Sequence, residues 1–243
     1  MVTTMIRLLM LACLMLAIAL PASAADAQAA AEADVKFSEA ETRMWMTNQL
    51  RGVTQPLELH YEFHKTGSLE PEFNFNDKVD LKIEKINADG SKDGSIAFFS
   101  GEHSFPAPPM ESSMVNPVLG HYLYGDVMQM NRLTDPNGEA RERWRYFQRR
   151  IKFALSKNAV VKPVSFDFDG RSWKGYEISF TPYVNDPKRN LFEKFAAKRY
   201  TVTVSDELPG YLYSIETIIP DAKPEQPPLV HEVLKLTAAR PRS

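Results

Sequence analysis

The sequence is poor in cysteine, in long apolar runs and in net charge. Its 243 residues include one cysteine, and that residue, Cys13, lies inside the apolar N-terminal segment. Removal of that segment would exclude disulfides, thiol catalysis and cysteine-based metal sites. The 29 Lys and Arg residues nearly balance the 31 Asp and Glu residues, so the chain lacks the basic surplus that phosphate-backbone binding requires. We therefore predict no nucleic-acid partner.

Motifs for catalysis and nucleotide binding are also missing. The sequence has no G-x-S-x-G, P-loop, Rossmann glycine pattern or H-E-x-x-H. Hydrolases do not require these motifs, so an enzyme stays open, but a non-catalytic role is favoured. His60 and Glu62 stand two residues apart on one strand and could in principle chelate a metal, yet a solvated strand face explains them better. We predict no metal site and no cofactor.

The first 24 residues have the pattern of a secretory signal. Arg7 precedes an apolar run, Leu8–Leu20, that is too short to span a bilayer, and Ala22-Ser23-Ala24 is an A-x-A cleavage site. Lipidation at Cys13 is the weaker alternative, because the apolar run continues after it. The sequence predicts a cleaved signal peptide over 1–24, a disordered tether over 25–36, and a periplasmic protein with no later transmembrane segment.

Hydrophobic periodicity indicates a single α+β domain over residues 37–243. Ser38 opens a capping box and a short helix that stops near Gly52. Apolar stripes at helical spacing predict two helices, over 117–135 and 139–155, that form a central hairpin. Alternating segments on both sides of this hairpin predict seven to nine strands. The expected fold is a curved antiparallel sheet with the helical hairpin packed on one face.

Three connecting segments carry weaker signals. Asn87–Gly94 is rich in turn residues and is expected to join two strands. The prolines of Phe105–Asn116 predict an irregular loop, and Lys188–Ala197 is expected to form a short helix.

Asp126 falls in the middle of the apolar stripe of the first central helix. An isolated buried carboxylate is costly, so we expect a cationic partner. The second helix offers Arg143, Arg145, Arg149 and Arg150. A structural ion pair is the favoured interpretation, and a catalytic acid with a raised pKa is the alternative.

The second central helix also carries a basic face. Arg145, Arg149 and Lys152 lie away from its apolar stripe, with Tyr146 and Phe153 nearby. Such a face suits anionic headgroups or a phosphate, or docking to an envelope protein partner. The ordinary solvated side of a helix is the favoured interpretation of this face.

Aromatic residues are unusually frequent at the inward positions of the strands. Most must be plain core, but a curved sheet under a helical cover can also leave an apolar cavity. We therefore predict a ligand-binding set that combines cavity-lining residues with arginines for an anionic headgroup. Its members are Tyr61, Phe63, Phe98, Tyr122, Met130, Trp144, Phe147, Phe166, Phe180, Arg145, Arg149 and Arg150.

The order of elements resembles that of the periplasmic LolA/LppX-type half-barrels. An N-terminal helix, antiparallel strands, central helices and further antiparallel strands follow the predicted signal peptide. The resemblance implies that a curved sheet wraps a helical plug and holds the acyl chains of lipids or lipoproteins. The chain also resembles a family of secreted bacterial proteins without assigned function, in the segments Asn116-Pro117-Val118-Leu119, Asp126-Val127, Tyr146-Phe147, Arg150-Ile151 and Ala154-Leu155.

These observations together predict a non-catalytic periplasmic carrier or sensor of a lipid or another acyl-chain ligand. One alternative is a periplasmic hydrolase that uses Asp126 and a histidine. Another is an interaction module of an envelope complex that docks through the basic helix face.

Overall fold

The computed structural model of the chain describes residues 36–135, 137–138 and 142–242. The predicted signal peptide lies outside these residues, as does the predicted tether except for its last residue. The predicted first turn of the second central helix, at 139–141, also lies outside them. Described residues from Phe37 onward belong to one unit.

In the described part of the chain, nine strands form one antiparallel sheet. They are β1 (Leu57–Thr66), β2 (Phe75–Ile86), β3 (Lys92–Phe98), β4 (Met110–Ser113), β5 (Val160–Phe168), β6 (Arg171–Phe180), β7 (Arg199–Val204), β8 (Leu212–Ile219) and β9 (Val230–Pro241). Their order is β4-β3-β2-β1-β9-β8-β7-β6-β5, so the first and last strands of the chain pair at the centre. The sheet is curved and unclosed, with β4 and β5 as its two edges.

Among the residues that the structure describes, three helices accompany the sheet. The first, α1 (Glu39–Glu41), continues directly as a π-helical turn over Thr42–Met46. The other two are α2 (Pro117–Thr134) and α3 (Arg143–Lys157). Asn116 caps α2 through its side chain, which accepts a hydrogen bond from the backbone N–H of Val118, and Pro117 occupies the first helical position.

The period-2 pattern of the strands sets which face carries the core. On β1, Leu57, Leu59, Tyr61 and Phe63 are buried, and the residues between them are at least partly exposed. The apolar stripe of α2 covers this face: Tyr122 contacts the ring of Phe63 and also reaches β8. The predicted α+β fold, with its curved antiparallel sheet and helices on one face, is confirmed.

The first helix is shorter than the sequence predicts. The Ser38 capping box is present, but the helical turns end at Met46, and Thr47 is extended. Local side-chain and turn bonds, together with one long-range bond, replace the expected helical bonds up to Gly52. The Gln49 side chain donates to the Met44 carbonyl at 2.9 Å, and the Leu50 N–H donates to the Met114 carbonyl at 3.1 Å.

Three connections also differ from expectation. β3 begins at Lys92, inside the predicted turn, because the Asn87 and Asp89 side chains bond to Ser91 and close the turn early. The predicted loop over 105–116 contains β4, which meets β3 at only two register positions. The predicted helix over 188–197 is instead two short 3-10 turns, Arg189–Leu191 and Glu193–Phe195.

Candidate functional site

The three helices enclose an apolar groove of about 490 Å³. Its floor is formed by Leu123, Val127 and Ile151, which are buried. Its rim is formed by large apolar side chains that stay exposed, together with small and polar residues of the three helices. The rim residues are Phe37, Glu41, Trp45, Met46, Gly120, Tyr124, Gln148 and Lys152. We call this site the helical groove.

Ser38 links the α1 wall of the helical groove to α3. Its hydroxyl accepts from the Glu41 N–H at 3.0 Å and donates to the Leu155 carbonyl near the end of α3 at 2.8 Å. The π-helical turn that follows presents Trp45 and Met46 to the groove, with Met46 58% exposed. Exposed apolar groups gathered around one concavity are typical of a ligand or partner site.

The rim of the helical groove is cationic on the side that α3 forms. Arg145 and Arg149 lie within two helical turns of Lys152 and on the same side of the helix. Arg145 pairs with Glu142 at 2.9 Å. Within the described ranges, neither Arg149 nor Lys152 forms an ion pair. The two cationic side chains match the anionic headgroup of an amphiphile, and the apolar groove beside them matches its tail.

A second, smaller pocket of about 140 Å³ lies between α2 and the sheet. Aromatic rings form its walls, and polar side chains form its floor. The walls are Phe63, Phe75, Phe98, Phe99 and Tyr122, and the remaining lining residues are Lys65, Gly125, Asp126, Gln129 and Glu232. We call this site the inner pocket.

Asp126 is buried at the edge of the inner pocket and is ion-paired. Its carboxylate contacts Lys198 Nζ and accepts a hydrogen bond from the Tyr200 hydroxyl at 2.6 Å. Tyr200 in turn lies 3.2 Å from the Tyr183 hydroxyl. Burial raises the pKa of Asp126 above its ordinary value, and the charge of Lys198 opposes that rise.

Glu232, Gln129 and Lys65 form a second polar cluster at the inner pocket. Glu232 accepts hydrogen bonds from Gln129 at 2.8 Å and pairs with Lys65 at 3.2 Å. Burial favours the neutral acid, but Lys198, Lys65 and the Gln129 amide outweigh it, so the pKa of Glu232 lies below its ordinary value. The carboxylate is therefore charged at neutral pH.

The expectation that an arginine of the second helix pairs with Asp126 is wrong. Asp126 faces the sheet, and its partner Lys198 comes from the segment just before β7.

The arginines of α3 have other partners. Arg150 pairs with the buried Asp186 at 2.6 Å. Asp186 also accepts from Tyr146, and burial together with that bond raises the pKa of Tyr146 to about 12. Arg143 donates to the Thr134 carbonyl at the end of α2.

The hydrolase alternative finds no support in the placement of the histidines. His60 contacts Asp80, His64 contacts Asn76, His103 approaches Asp77, His121 contacts the Pro117 carbonyl, and His231 contacts Glu216. None of these contacts is with Asp126, whose partners among the described residues are Lys198 and Tyr200. In the portion of the chain that the structure describes, no three His, Asp or Glu side chains are grouped to hold a metal ion.

The predicted ligand-binding residues fall into four environments. Phe63, Phe98 and Tyr122 line the inner pocket. Tyr61, Met130, Phe147 and Phe180 are packed in the core, whereas Trp144 and Phe166 are only partly buried against it. Arg145 and Arg149 stand on the exposed side of α3, and Arg150 turns toward Asp186.

None of these twelve residues lines the helical groove, which sequence reasoning missed. One signal was present. Met44, Trp45 and Met46 are consecutive, so a single helical face cannot bury all three. An exposed pair of large apolar side chains was therefore foreseeable, but its position beside α2 and α3 was not.

Comparison with known proteins gives a similarity of structure without a match of sequence. No family model matches the chain, and no curated protein matches it. Solved structures do match. The lipoprotein LppX of Mycobacterium tuberculosis is 10% identical over 82% of this chain and 95% of its own, with a TM-score of 0.31. A LolA superfamily protein from Nitrosomonas europaea is 9% identical over 84% and 94%, with a TM-score of 0.22.

These two structures carry the names of the half-barrels that the order of elements resembles. A separate observation concerns membranes. Of the helices in the described residues, none combines the length and the apolar character that a bilayer span requires.

Proposed function

We propose that this protein is a non-catalytic periplasmic carrier or sensor of a lipid or another acyl-chain ligand. The observation that carries the proposal is the helical groove. Its volume of about 490 Å³ lies within the usual range for small-molecule sites. Its floor is apolar, and Phe37, Trp45, Met46 and Tyr124 stand exposed around it. An acyl chain would cover these side chains.

The energetics of an acyl chain suit this groove. Each methylene removed from water contributes about 0.8 kcal/mol, so about ten of them contribute about 8 kcal/mol before the cost of ordering the chain is subtracted. Lys152 and Arg149 would then meet an anionic headgroup at the rim, where neither has an ion pair within the described ranges. We place the ligand in the helical groove, because most of the predicted lining under the sheet is filled core.

The periplasmic location rests on the N-terminal sequence. The secretory pattern of residues 1–24 lies outside the described residues, and it supports export of the chain. A carrier in that compartment would shield acyl chains from water between membranes. The groove is open at the surface of the helices, which suits exchange of a ligand better than a sealed core would.

The native mass of the protein tests the proposal. The full gene product would be purified from a periplasmic extract without detergent and weighed before and after denaturation. We expect a discrete adduct that disappears on denaturation and passes into organic solvent. A clean polypeptide mass together with a co-purifying envelope protein that salt removes would contradict a carrier and would support an interaction module.

Two glycines of α2 supply matched variants. A Cβ at Gly120 or at Gly125 meets no atom within 4 Å, but Gly120 lines the helical groove and Gly125 lines the inner pocket. Gly120→Leu should weaken palmitate binding about tenfold by filling the groove. Gly125→Leu should leave palmitate binding unchanged. Both variants gain helix propensity, so loss of folding is not the expected result in either. Equal palmitate affinity in both variants would place the ligand elsewhere.

A further inference from the structure

The inner pocket lies on the side of α2 opposite to the helical groove. Gly120, Tyr124 and Val127 face the groove, whereas Tyr122, Gly125 and Gln129 face the inner pocket. At about 100° per residue, these two sets point in nearly opposite directions from the helix axis. A ligand of the inner pocket is therefore separate from the acyl chain proposed above.

An unusual backbone conformation builds the aromatic wall of the inner pocket. Successive residues of a strand point to opposite faces of the sheet, so Phe98 and Phe99 would normally diverge. Phe99 instead has φ 64°, which is rare for a bulky residue, and both rings line the pocket. Their centroids are 4.7 Å apart, and Phe99 also lies 4.7 Å from Phe63. Backbone strain retained at a ring-lined pocket is typical of a binding site.

The polar floor of the inner pocket has one free acceptor. Gln129 donates through its amide nitrogen to Glu232 at 2.8 Å, which fixes the orientation of the amide. Its other atom, Oε1, is buried, and no donor among the described residues reaches it. Lys65 uses one N–H on Glu232 at 3.2 Å and has others to donate. A group that both donates and accepts, such as a hydroxyl, would satisfy both residues.

Charge and size restrict the ligand further. Asp126 and Glu232 are balanced by Lys198 and Lys65, so the pocket favours a neutral molecule. A cavity of about 150 Å³ holds one benzene ring, and the inner pocket measures about 140 Å³. Aromatic walls favour a planar ring that can stack or meet them edge to face.

We propose that the inner pocket is a binding site for a monocyclic phenol. Phe63, Phe75 and Phe99 contact one another. The phenol ring packs against this cluster, and its hydroxyl donates to Gln129 Oε1 and accepts from Lys65 Nζ. Gly125, the exposed lining residue, marks the entrance.

Titration with phenol and with benzene tests this site, by calorimetry and by ligand-observed NMR on the full protein. We expect saturable phenol binding, with benzene about fivefold weaker because it lacks the hydrogen bonds. Gly125→Leu should weaken phenol binding about tenfold by filling the entrance. Gly120→Leu, on the opposite side of α2, should bind phenol as the unmodified protein does.

Gln129→Met gives an independent measurement, because it removes the acceptor while keeping a side chain of similar size. The preference for phenol over benzene should then fall to about one. Equal binding of phenol and benzene by the unmodified protein would overturn the proposal. Absence of saturable phenol binding would overturn the proposal as well, since a water molecule would then be the hydrogen-bond donor to Gln129 Oε1. Of the two glycine variants, Gly120→Leu is expected to weaken palmitate binding and Gly125→Leu to weaken phenol binding, so failure of the phenol site is distinguishable from failure of the acyl-chain site.

Discussion

At the scale of single residues, the buried pair of Asp126 and Lys198 dominates the interior. Both side chains are almost fully removed from water. Lys198→Met should destabilise the protein by about 3–5 kcal/mol, because it leaves a buried carboxylate without its partner. Chemical unfolding would measure the loss. Lys194→Met, an exposed site in the same segment, should change the free energy of unfolding by less than about 0.5 kcal/mol.

The pH dependence of the Lys198→Met variant has a definite sign. Burial already raises the pKa of Asp126 above 3.8, and loss of Lys198 removes the main opposing charge. A folded-state pKa above the unfolded value gives stability that is present below pH 3.8 and is lost as pH rises through the folded pKa. The deficit of the variant should therefore shrink in acid. A second change, Asp126→Asn, should recover part of the loss at neutral pH, and a deficit independent of pH would contradict this assignment.

At the scale of elements, Ser38 both caps α1 and links it to α3. Ser38→Ala removes the cap on Glu41 and the bond to the Leu155 carbonyl, at a cost of about 1 kcal/mol for the cap. The freed α1 should also weaken palmitate binding, because Trp45 and Met46 form one wall of the helical groove. Ser38→Asp is the matched control.

The aspartate keeps the cap acceptor, but when ionised it cannot donate to Leu155. If Ser38→Asp restores stability while palmitate binding stays weak, the link to α3 holds the groove wall. If both variants bind palmitate as the unmodified protein does, α1 is not part of the site.

At the scale of the whole molecule, the open sheet leaves β5 as an unpaired edge beyond β6. An exposed edge strand can pair with a strand of another chain. Pro163 within β5 weakens such pairing because it has no N–H to donate. Pro163→Val should keep the fold but increase self-association at high concentration, as measured by light scattering. Val161→Thr, in the same strand, should stay as dispersed as the unmodified protein. Equal scattering by all three would show that Pro163 does not protect the edge.

Several local features could be predicted because their causes are local. The Ser38 capping box and the start of α2 at Asn116-Pro117 both depend on residues within a few positions of one another. The burial of Asp126 followed from its place in an apolar stripe. Its partner did not follow, because Lys198 lies 72 positions away in the chain.

The α+β class, the alternation of the strands and the central helical hairpin follow from the order of the amino acids, since hydrophobic period and capping chemistry act over one or two turns. Tertiary packing set the remaining contacts. It paired β1 with β9, chose Lys198 for Asp126, brought α1 against α2 and α3 to form the helical groove, and turned Phe99 toward Phe98. The reason is physical. These contacts join residues distant in sequence, and their side chains carry no local pattern that specifies a partner.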